Sequence, residues 1–360
     1  MTKGAQFTVS ERWRARLGAQ WLSRPARVGP DDVTRHLLAV QAQDPRGFRL
    51  AIRSRTAGLG AADVDAALTE RRSLVVSWLN RGTLQLVAGP DYWWLHPLTT
   101  PQLATGNRRR LRQEGVNVAQ AARGIDAVRE AVAGGQQQTR GQLRDLLDEA
   151  GVPTKGQALV HVLLAATLEG LVVRGPVVGA EQAFVDPAHW LGRAPAPLDR
   201  DDGLARLALR YLGGHGPATA ADLAKWAGIP LGDARRGLDA VGGETSTTLD
   251  GLVDLAGRDR APRPPVVRML GAFDPLLLGW ADRDGVLVAH RQVVTTNGLF
   301  RPVVLVDGRA VATWGLPGGT VTVDLLDEVP PSVRPSLDAE ASDVLRFLGL
   351  PERPMIQRHG

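Results

Sequence analysis

Residues 74–87 read LVVSWLNRGTLQLV, and the fold prediction starts from this segment. Leu74–Trp78 and Gly82–Val87 are rich in apolar and β-branched residues, which favour strands, and Leu79-Asn80-Arg81 separates them as a short turn. The stretch therefore predicts a β-hairpin. A hairpin that follows several short helices is typical of a winged helix-turn-helix unit.

Short helices are predicted upstream of this hairpin. Ser10 is a suitable N-cap for a helix over 11–17, and the acidic segment after Pro30 opens a second helix over 33–40. Pro45 is expected to end that second helix, because proline cannot continue the helical hydrogen-bond ladder. A further short helix is predicted over 61–68.

The order of helices and then a hairpin recurs twice along the chain. Helices are predicted over 139–147 and 155–169 in the second copy, and over 204–212, 219–226 and 232–241 in the third. The matching strands are predicted over 171–174 and 182–185, and over 245–249 and 252–255.

The pattern changes after a linker predicted over Arg258–Pro265. Apolar residues then recur with a period of two, which predicts strands over 266–270, 286–288, 301–306, 310–314 and 320–325, before a closing helix over 338–348. We therefore predict an α+β protein. It consists of tandem winged-helix units over residues 1–133, 134–198 and 199–257, followed by a small β-barrel-like module over 264–350.

The composition excludes several kinds of site. The 360 residues include no cysteine, which excludes disulfides, thiolate metal sites and cysteine nucleophiles. The seven histidines form no i, i+4 pair, so we expect no metal site, and no motif indicates a cofactor. No apolar run is long enough to span a bilayer and no export signal is present, so we expect a cytoplasmic protein.

Charge favours a nucleic-acid partner. Lys and Arg number 43 against 38 Asp and Glu, and only Lys3, Lys155 and Lys225 are lysines. The forked guanidinium of arginine suits phosphates. So few lysines argue against an enzyme that forms a Schiff base through a lysine.

The segment Gln41-Ala42-Gln43-Asp44-Pro45 is a candidate site. Two neutral amides flank one small residue, at the predicted end of a helix, and paired hydrogen-bonding groups in such a place suggest a ligand. The alternative is that Gln41 and Gln43 are the solvated end of a helix whose buried contacts come from leucine and valine.

Four segments together resemble one family: Gln41–Pro45, Trp78–Leu84, Ala221–Gly228 and Gly271–Arg283. Over roughly residues 8–350 the chain is similar to the bacterial winged-helix DNA glycosylases of the AlkZ/YcaQ-like crosslink-repair family. The family's catalytic motif is glutamine, an apolar residue, then glutamine or aspartate. Its strand motif, Arg-Gly-Thr-Leu-His-Leu, is matched by residues 81–86 except that Gln85 replaces the histidine.

The resemblance implies a DNA glycosylase of base excision repair in which Gln41 and Gln43 are the catalytic residues. The scarcity of lysines predicts that it is monofunctional, and we expect a nucleoid-associated monomer. Its expected partner is double-stranded DNA with purines alkylated at N7 or N3, and interstrand crosslinks are candidate substrates. An alkylated purine is already cationic and leaves without protonation, so two amides are enough to hold a water in line. Asp44 or a phosphate would accept the proton afterwards.

Several residues are candidates for DNA contacts, because phosphates attract guanidinium groups and hydroxyl donors. They are Arg46, Arg49, Arg53 and Arg55 after the glutamine pair, Arg81 and Thr83 in the first hairpin, and Arg108, Arg109 and Arg110 in the densest basic run.

Each candidate contact has a structural alternative. Arg53 would pair with a carboxylate, Arg81 would neutralise Asp63 or Asp65, and Thr83 would cap a turn. The basic run would be a solvated helix face.

One competing function stays open at this point. A winged-helix protein that has lost catalysis would be a non-catalytic DNA-binding protein or a transcriptional regulator. The paired glutamines favour the enzyme, because a protein that only binds DNA does not need two amides beside a proline.

Overall fold

A computed structural model of the protein describes residues 8–179, 181–258, 267–287, 290–295 and 297–359. The helices are α1 Val9–Ala19, α2 Pro30–Leu37, α3 Pro45–Arg53, α4 Ala61–Thr69, α5 Gly89–Thr99, α6 Leu103–Gln113, α7 Val118–Val132, α8 Arg140–Glu149, α9 Ala158–Leu168, α10 Pro187–Leu191, α11 Arg200–His215, α12 Ala220–Ala227, α13 Leu231–Ala240, α14 Pro275–Leu278, α15 Asp284–Leu287 and α16 Arg334–Phe347. The strands are β1 Val40–Gln41, β2 Leu74–Leu79, β3 Thr83–Ala88, β4 Val173–Val178, β5 Glu181–Val185, β6 Thr245–Thr247, β7 Val253–Leu255, β8 Val267–Leu270, β9 Val303–Val306, β10 Arg309–Gly315, β11 Thr322–Leu325 and β12 Ile356–His359. The protein is α+β, as predicted.

The chain divides into two compact units. The first unit contains the described residues within 1–64, 204–226 and 230–360, and the second contains those within 65–203 together with 227–229. This division is coarser than the four segments predicted from the sequence, whose boundaries stay a prediction.

An arginine that contacts two indole rings lies in the core of the first unit. The guanidinium of Arg16 is 4.7 Å from the ring centroid of Trp13 and 4.5 Å from that of Trp280. Its Nε donates to Pro217 O over 3.0 Å, and its Nη2 lies 3.5 Å from Oδ2 of Asp222. Burial lowers the pKa of Arg16 to about 10, so the cation persists at neutral pH and the aromatic faces stabilise it.

A fully buried ion pair connects three parts of the first unit. Arg55 donates to both carboxylate oxygens of Asp274, over 2.9 and 2.8 Å, and neither side chain is exposed to solvent. Arg55 also donates to Gln20 Oε1 over 2.6 Å, while Asp274 accepts from Leu276 N over 2.9 Å. These extra hydrogen bonds matter, because a buried pair is tolerated only when its polar atoms find further partners.

The C-terminal part of the first unit contains a sheet in the order β12-β11-β10-β9-β8. Neighbouring strands are antiparallel except for the parallel pair β11 and β12, and the Asp307-Gly308 turn joins β9 to β10. Among the described strands, β8 and β12 are the two edges, so the sheet is open. A barrel-like module is therefore not confirmed.

Two of the predicted hairpins lie in the second unit. Strands β2 and β3 pair antiparallel over the predicted stretch, and β4 pairs antiparallel with β5. The two hairpins join through Val76, which lies opposite Arg174, and give the order β3-β2-β4-β5 within this unit. Below the sheet, helices α6 to α9 enclose an apolar core that includes Trp78, Leu111, Val128, Leu147, Leu163 and Phe184.

The prediction of a strand over 286–288 is wrong at the two of these residues that the structure describes. Val286 and Leu287 belong to the short helix α15, and Val288 lies outside the described residues. A short apolar run does not distinguish strand from helix by its periodicity, which is why the prediction fails here. The preceding Gly285 packs closely on Trp13, since a Cβ on it would lie only 1.5 Å from Nε1 of that side chain. Most of the linker predicted over Arg258–Pro265 also lies outside the described residues.

The described helices include none that is both long enough and apolar enough to cross a lipid bilayer.

We expect Arg55→Met to lower the free energy of unfolding by about 3–5 kcal/mol, because it leaves the buried carboxylate of Asp274 without its cation. Urea denaturation at neutral pH measures the change. The control is Arg35→Met, which removes a pair with Asp32 that is about half exposed and should cost under about 1 kcal/mol. Equal, small losses in the two variants would contradict this role for Arg55.

Candidate active site and nucleic-acid interface

The glutamine motif lies between two helices. Helix α2 ends at Leu37, Leu38 has a φ of 66°, and Val40–Gln41 is extended. Pro45 then occupies the first turn of α3, so the prediction that it ends the preceding helix is wrong. Proline is favoured in a first turn, because its φ already suits a helix and its missing N–H would have no helical partner there.

The two amides of the motif are in contact. Gln41 is buried and Gln43 is exposed, and Gln41 Nε2 donates to Gln43 Oε1 over 2.5 Å. Residues two apart in an extended segment project from the same side, which explains the contact. An amide oxygen has two lone pairs, so Gln43 Oε1 can accept a second hydrogen bond from a water or a substrate.

Asp44 and Gly47 fix the first turn of α3 beside the glutamines. Asp44 is the N-cap, and its Oδ1 accepts from Gly47 N over 2.5 Å. A Cβ on Gly47 would lie 2.4 Å from the carbonyl oxygen of Ala272, so only glycine allows the helix to approach this segment so closely.

A cavity of about 400 Å³ opens at this first turn, and sequence reasoning missed it. Its other wall comes from Pro302, Trp314 and Leu316, which are distant in the chain. The orientation of Trp314 is fixed, because its Nε1 donates to Leu270 O over 2.8 Å. Only the glycine pair Gly47 and Gly271, which permits close packing, could have indicated the cavity in advance.

Two of the predicted arginines lie near the solvent. Arg46 is exposed and Arg49 is half-buried. Arg49 folds back on its own helix, where it donates to Pro45 O over 2.6 Å and lies 4.6 Å from the ring centroid of Phe48.

Arg53 is buried among structural partners. It donates to Asp343 over 2.7 Å, to Glu340 over 3.0 Å and to Met269 O over 3.1 Å. These bonds attach α3 to α16 and β8. The geometry agrees with the alternative that Arg53 pairs with carboxylates. The predicted DNA contact of Arg53 is wrong, because a side chain that is 2% exposed is not available to a phosphate. The same correction applies to Arg55, which is fully buried.

In the second unit, Arg81 and Thr83 lie at the turn of the β2–β3 hairpin. The last pair of the ladder is Leu79 with Thr83. Arg81 and Thr83 are both partly exposed. Gln85 is buried, and its Nε2 donates to Thr83 Oγ1 over 2.7 Å. The residue that departs from the family motif therefore orients the Thr83 hydroxyl.

The basic run lies on α6, with Arg108, Arg109 and Arg110 exposed. On the buried side of the helix, Asn107 Nδ2 donates to His161 O over 3.0 Å, and Asn107 Oδ1 lies 2.8 Å from His161 Nδ1. This pair fixes the helix so that the arginines stay at the surface. Arg110 also pairs with Glu114 over 3.3 Å.

His36 supports the segment that precedes the motif. Its ring stacks on Trp21 with centroids 3.8 Å apart, and its Nε2 lies 2.5 Å from Ala19 O. Burial lowers the pKa of His36 to about 4, so the ring is neutral at physiological pH.

Among the residues that the structure describes, no group of three or more His, Asp or Glu side chains is placed to hold a metal ion.

Comparisons with known proteins extend over nearly the whole chain. A family model described as DNA glycosylase AlkZ-like matches residues 34–347. An interstrand DNA cross-link repair glycosylase of Streptomyces sahachiroi is 27% identical over 376 residues, which cover 94% of this chain and 96% of the relative. The solved structure of Streptomyces sahachiroi DNA glycosylase AlkZ aligns with a TM-score of 0.82 at 22% identity, covering 98% of this chain and 100% of the other. The two chains share a fold.

We expect stability to fall as the pH drops from about 6.5 to 4, because the unfolded His36 then binds a proton that the folded one does not. The loss attributable to His36 is at most about 3 kcal/mol. Urea denaturation across this range should give a shallower pH dependence for His36→Gln than for the wild type. The exposed His189, changed to glutamine, is the control, and an equally shallow pH dependence in that variant would contradict the role of His36.

Proposed function

The chain belongs to the AlkZ-like DNA glycosylase family, whose members hydrolyse N-glycosyl bonds, and we propose that it removes purines alkylated at N7 or N3 with Gln41 and Gln43 orienting the attacking water. The observation that carries this proposal is the direct contact between the two amides, one buried and one exposed.

The chemistry of the lesion explains why neutral side chains are enough. Cleavage of the bond between base and deoxyribose passes through a sugar with oxocarbenium character. A purine alkylated at N7 or N3 carries a positive charge and leaves as a neutral base, so no general acid is needed. The remaining requirement is a water held on the sugar's open face, and correct positioning alone contributes much of the acceleration.

The contact between the amides suits that task. Gln41 is buried, and its Nε2 holds Gln43 Oε1 in one place, so the exposed amide does not have to be ordered when DNA binds. The second lone pair of Gln43 Oε1 then accepts from the water and turns a water lone pair towards the sugar. Glutamine is too weak a base to remove the proton, which Asp44 or a phosphate accepts after attack.

For the DNA backbone we propose contacts in each unit separately. In the first unit, exposed Arg46 lies three residues after Gln43, and Arg49 is a second candidate. In the second unit the candidates are Arg81, Thr83, Arg108, Arg109 and Arg110. We leave out Arg53 and Arg55, because their guanidinium groups are committed to buried carboxylates.

The finer architecture is also a proposal. We interpret residues 1–133, 134–198 and 199–257 as winged-helix units and 264–350 as a C-terminal domain. Support comes from the hairpins β2–β3, β4–β5 and β6–β7, each of which follows helices.

Interstrand crosslinks belong to the proposed substrates. The Streptomyces sahachiroi relative is named for interstrand DNA cross-link repair, and this chain is similar to it along almost its full length. We further propose that the enzyme is monofunctional, acts as a monomer and associates with the nucleoid.

We expect Gln41→Ala and Gln43→Ala each to slow release of 7-methylguanine from a methylated duplex by about 100-fold or more, because the water loses its orientation. Single-turnover release of the free base measures the rate. Gln137→Ala, at an exposed glutamine of the second unit, is the matched control. Rates within a few-fold of wild type in both variants would refute the assignment, provided that DNA binding is unchanged.

We expect the triple variant Arg108→Ala, Arg109→Ala, Arg110→Ala to bind duplex DNA more weakly and with a smaller dependence on salt. The slope of log K against log salt should decrease by about 1 for each phosphate that an arginine no longer neutralises. Fluorescence anisotropy between 50 and 200 mM salt, on the order of physiological ionic strength, measures both quantities. Arg193→Ala removes an exposed arginine outside the run and should change neither. An unaltered slope in the triple variant would assign the run to a solvated face.

A further inference from the structure

The turn of the β2–β3 hairpin is held in an unusual backbone conformation. Asn80 has a φ of 55° although it is not glycine, and it is 1% exposed. Gly82 follows with a φ of 77°, and its N–H donates to Leu79 O over 3.0 Å. A buried residue in the left-handed region stays there only when its surroundings fix it.

Three residues supply those surroundings, and all belong to the second unit. Asn80 N donates to the hydroxyl oxygen of Thr99 over 3.1 Å, and this hydroxyl itself donates to Leu95 O over 2.9 Å. Gly228 lies against the turn, because a Cβ on it would be 2.7 Å from Asn80 O.

Gln102 is hydrogen-bonded to both Thr99 and Gly228. Its Nε2 donates to Thr99 O over 2.7 Å and to Gly228 O over 2.8 Å. Thr99, Gln102 and Gly228 are therefore one hydrogen-bonded group around the turn, which we call the turn clamp.

The turn clamp is continuous with the helix that carries the basic run. Gln102 immediately precedes Leu103, the first residue of α6. A Cβ on Gly82 would lie 3.3 Å from Leu103 Cδ2, so the turn also packs on the start of this helix. The hairpin turn with Arg81 and the helix with Arg108–Arg110 thus share one support.

We infer that the turn clamp positions Arg81 relative to the basic run, so that the two present a single preformed surface to the DNA backbone. The inference rests on the proposed DNA contacts of these arginines. A preformed surface binds more tightly, because the ordering of the turn does not have to occur when DNA binds. Thr99, Gln102 and Gly228 are positioning residues and touch no DNA themselves.

Gln102→Met is the direct test, because it removes both donated hydrogen bonds without adding a charge. Gln102 is exposed, so the protein should still fold. We expect binding to an undamaged duplex to weaken about five- to tenfold, the effect of removing two neutral hydrogen bonds that set the geometry of the Arg81 contact. Gln137→Met is the matched control and should bind like the wild type.

Gln102→Met in an Arg81→Ala background distinguishes a loss of Arg81 positioning from a general destabilisation of the protein. If Gln102 acts through Arg81, Gln102→Met should weaken binding less than about twofold in that background, since the group it positions is gone. A full, undiminished effect would overturn the inference, and so would unchanged binding by Gln102→Met in the wild type. Thr99→Val, with Thr99→Ser as the conservative rescue, repeats the test with the other side chain.

These measurements also distinguish failure of the inference from failure of the proposed DNA contacts. If Arg81→Ala alone binds DNA like the wild type, the contact assigned to Arg81 is wrong and the inference falls with it. If Arg81→Ala weakens binding but the Gln102 effect is additive, only the inference is wrong.

Discussion

The buried pair of Arg55 and Asp274 is the constraint on which the first unit depends. Two opposite charges without any solvent contact require further hydrogen-bond partners, and Gln20 Oε1 and Leu276 N are among them. The end of α1, the segment after α3 and the start of α14 are therefore fixed at one point. Such a pair is weak evidence for high stability, but it permits few alternative arrangements of these elements.

This constraint determines where the glutamines lie. Helix α3 is attached beyond its C-terminal end by Arg55 and within its last turn by Arg53, which binds α16 and β8. Its N-terminal end rests on Ala272 through Gly47. With both ends attached, the motif that leads into the helix has little freedom, and rigid elements place Gln41 and Gln43, as the proposed positioning of a water requires.

The sequence predicted those features that depend on neighbouring residues. Alternating β-branched residues and turn signals located the hairpins, and the Gln-x-Gln pair located the candidate site. Pro45 was misread, because proline both stops a helix and begins one, and only Asp44 as an N-cap decides between these. The partners of Arg53 and the contact of Gln102 with Gly228 could not be predicted, because they join positions 126 to 290 residues apart.

Gly47 has a consequence for how the site tolerates change. The 2.4 Å clearance between its missing Cβ and the Ala272 carbonyl leaves no space even for a methyl group. An alanine there would tilt the start of α3 away from its support and displace the preceding amides, while every reactive group stayed chemically intact. In the proposed mechanism the attacking water would then be held out of line with the sugar, so a residue without a side chain controls where the catalytic amides lie.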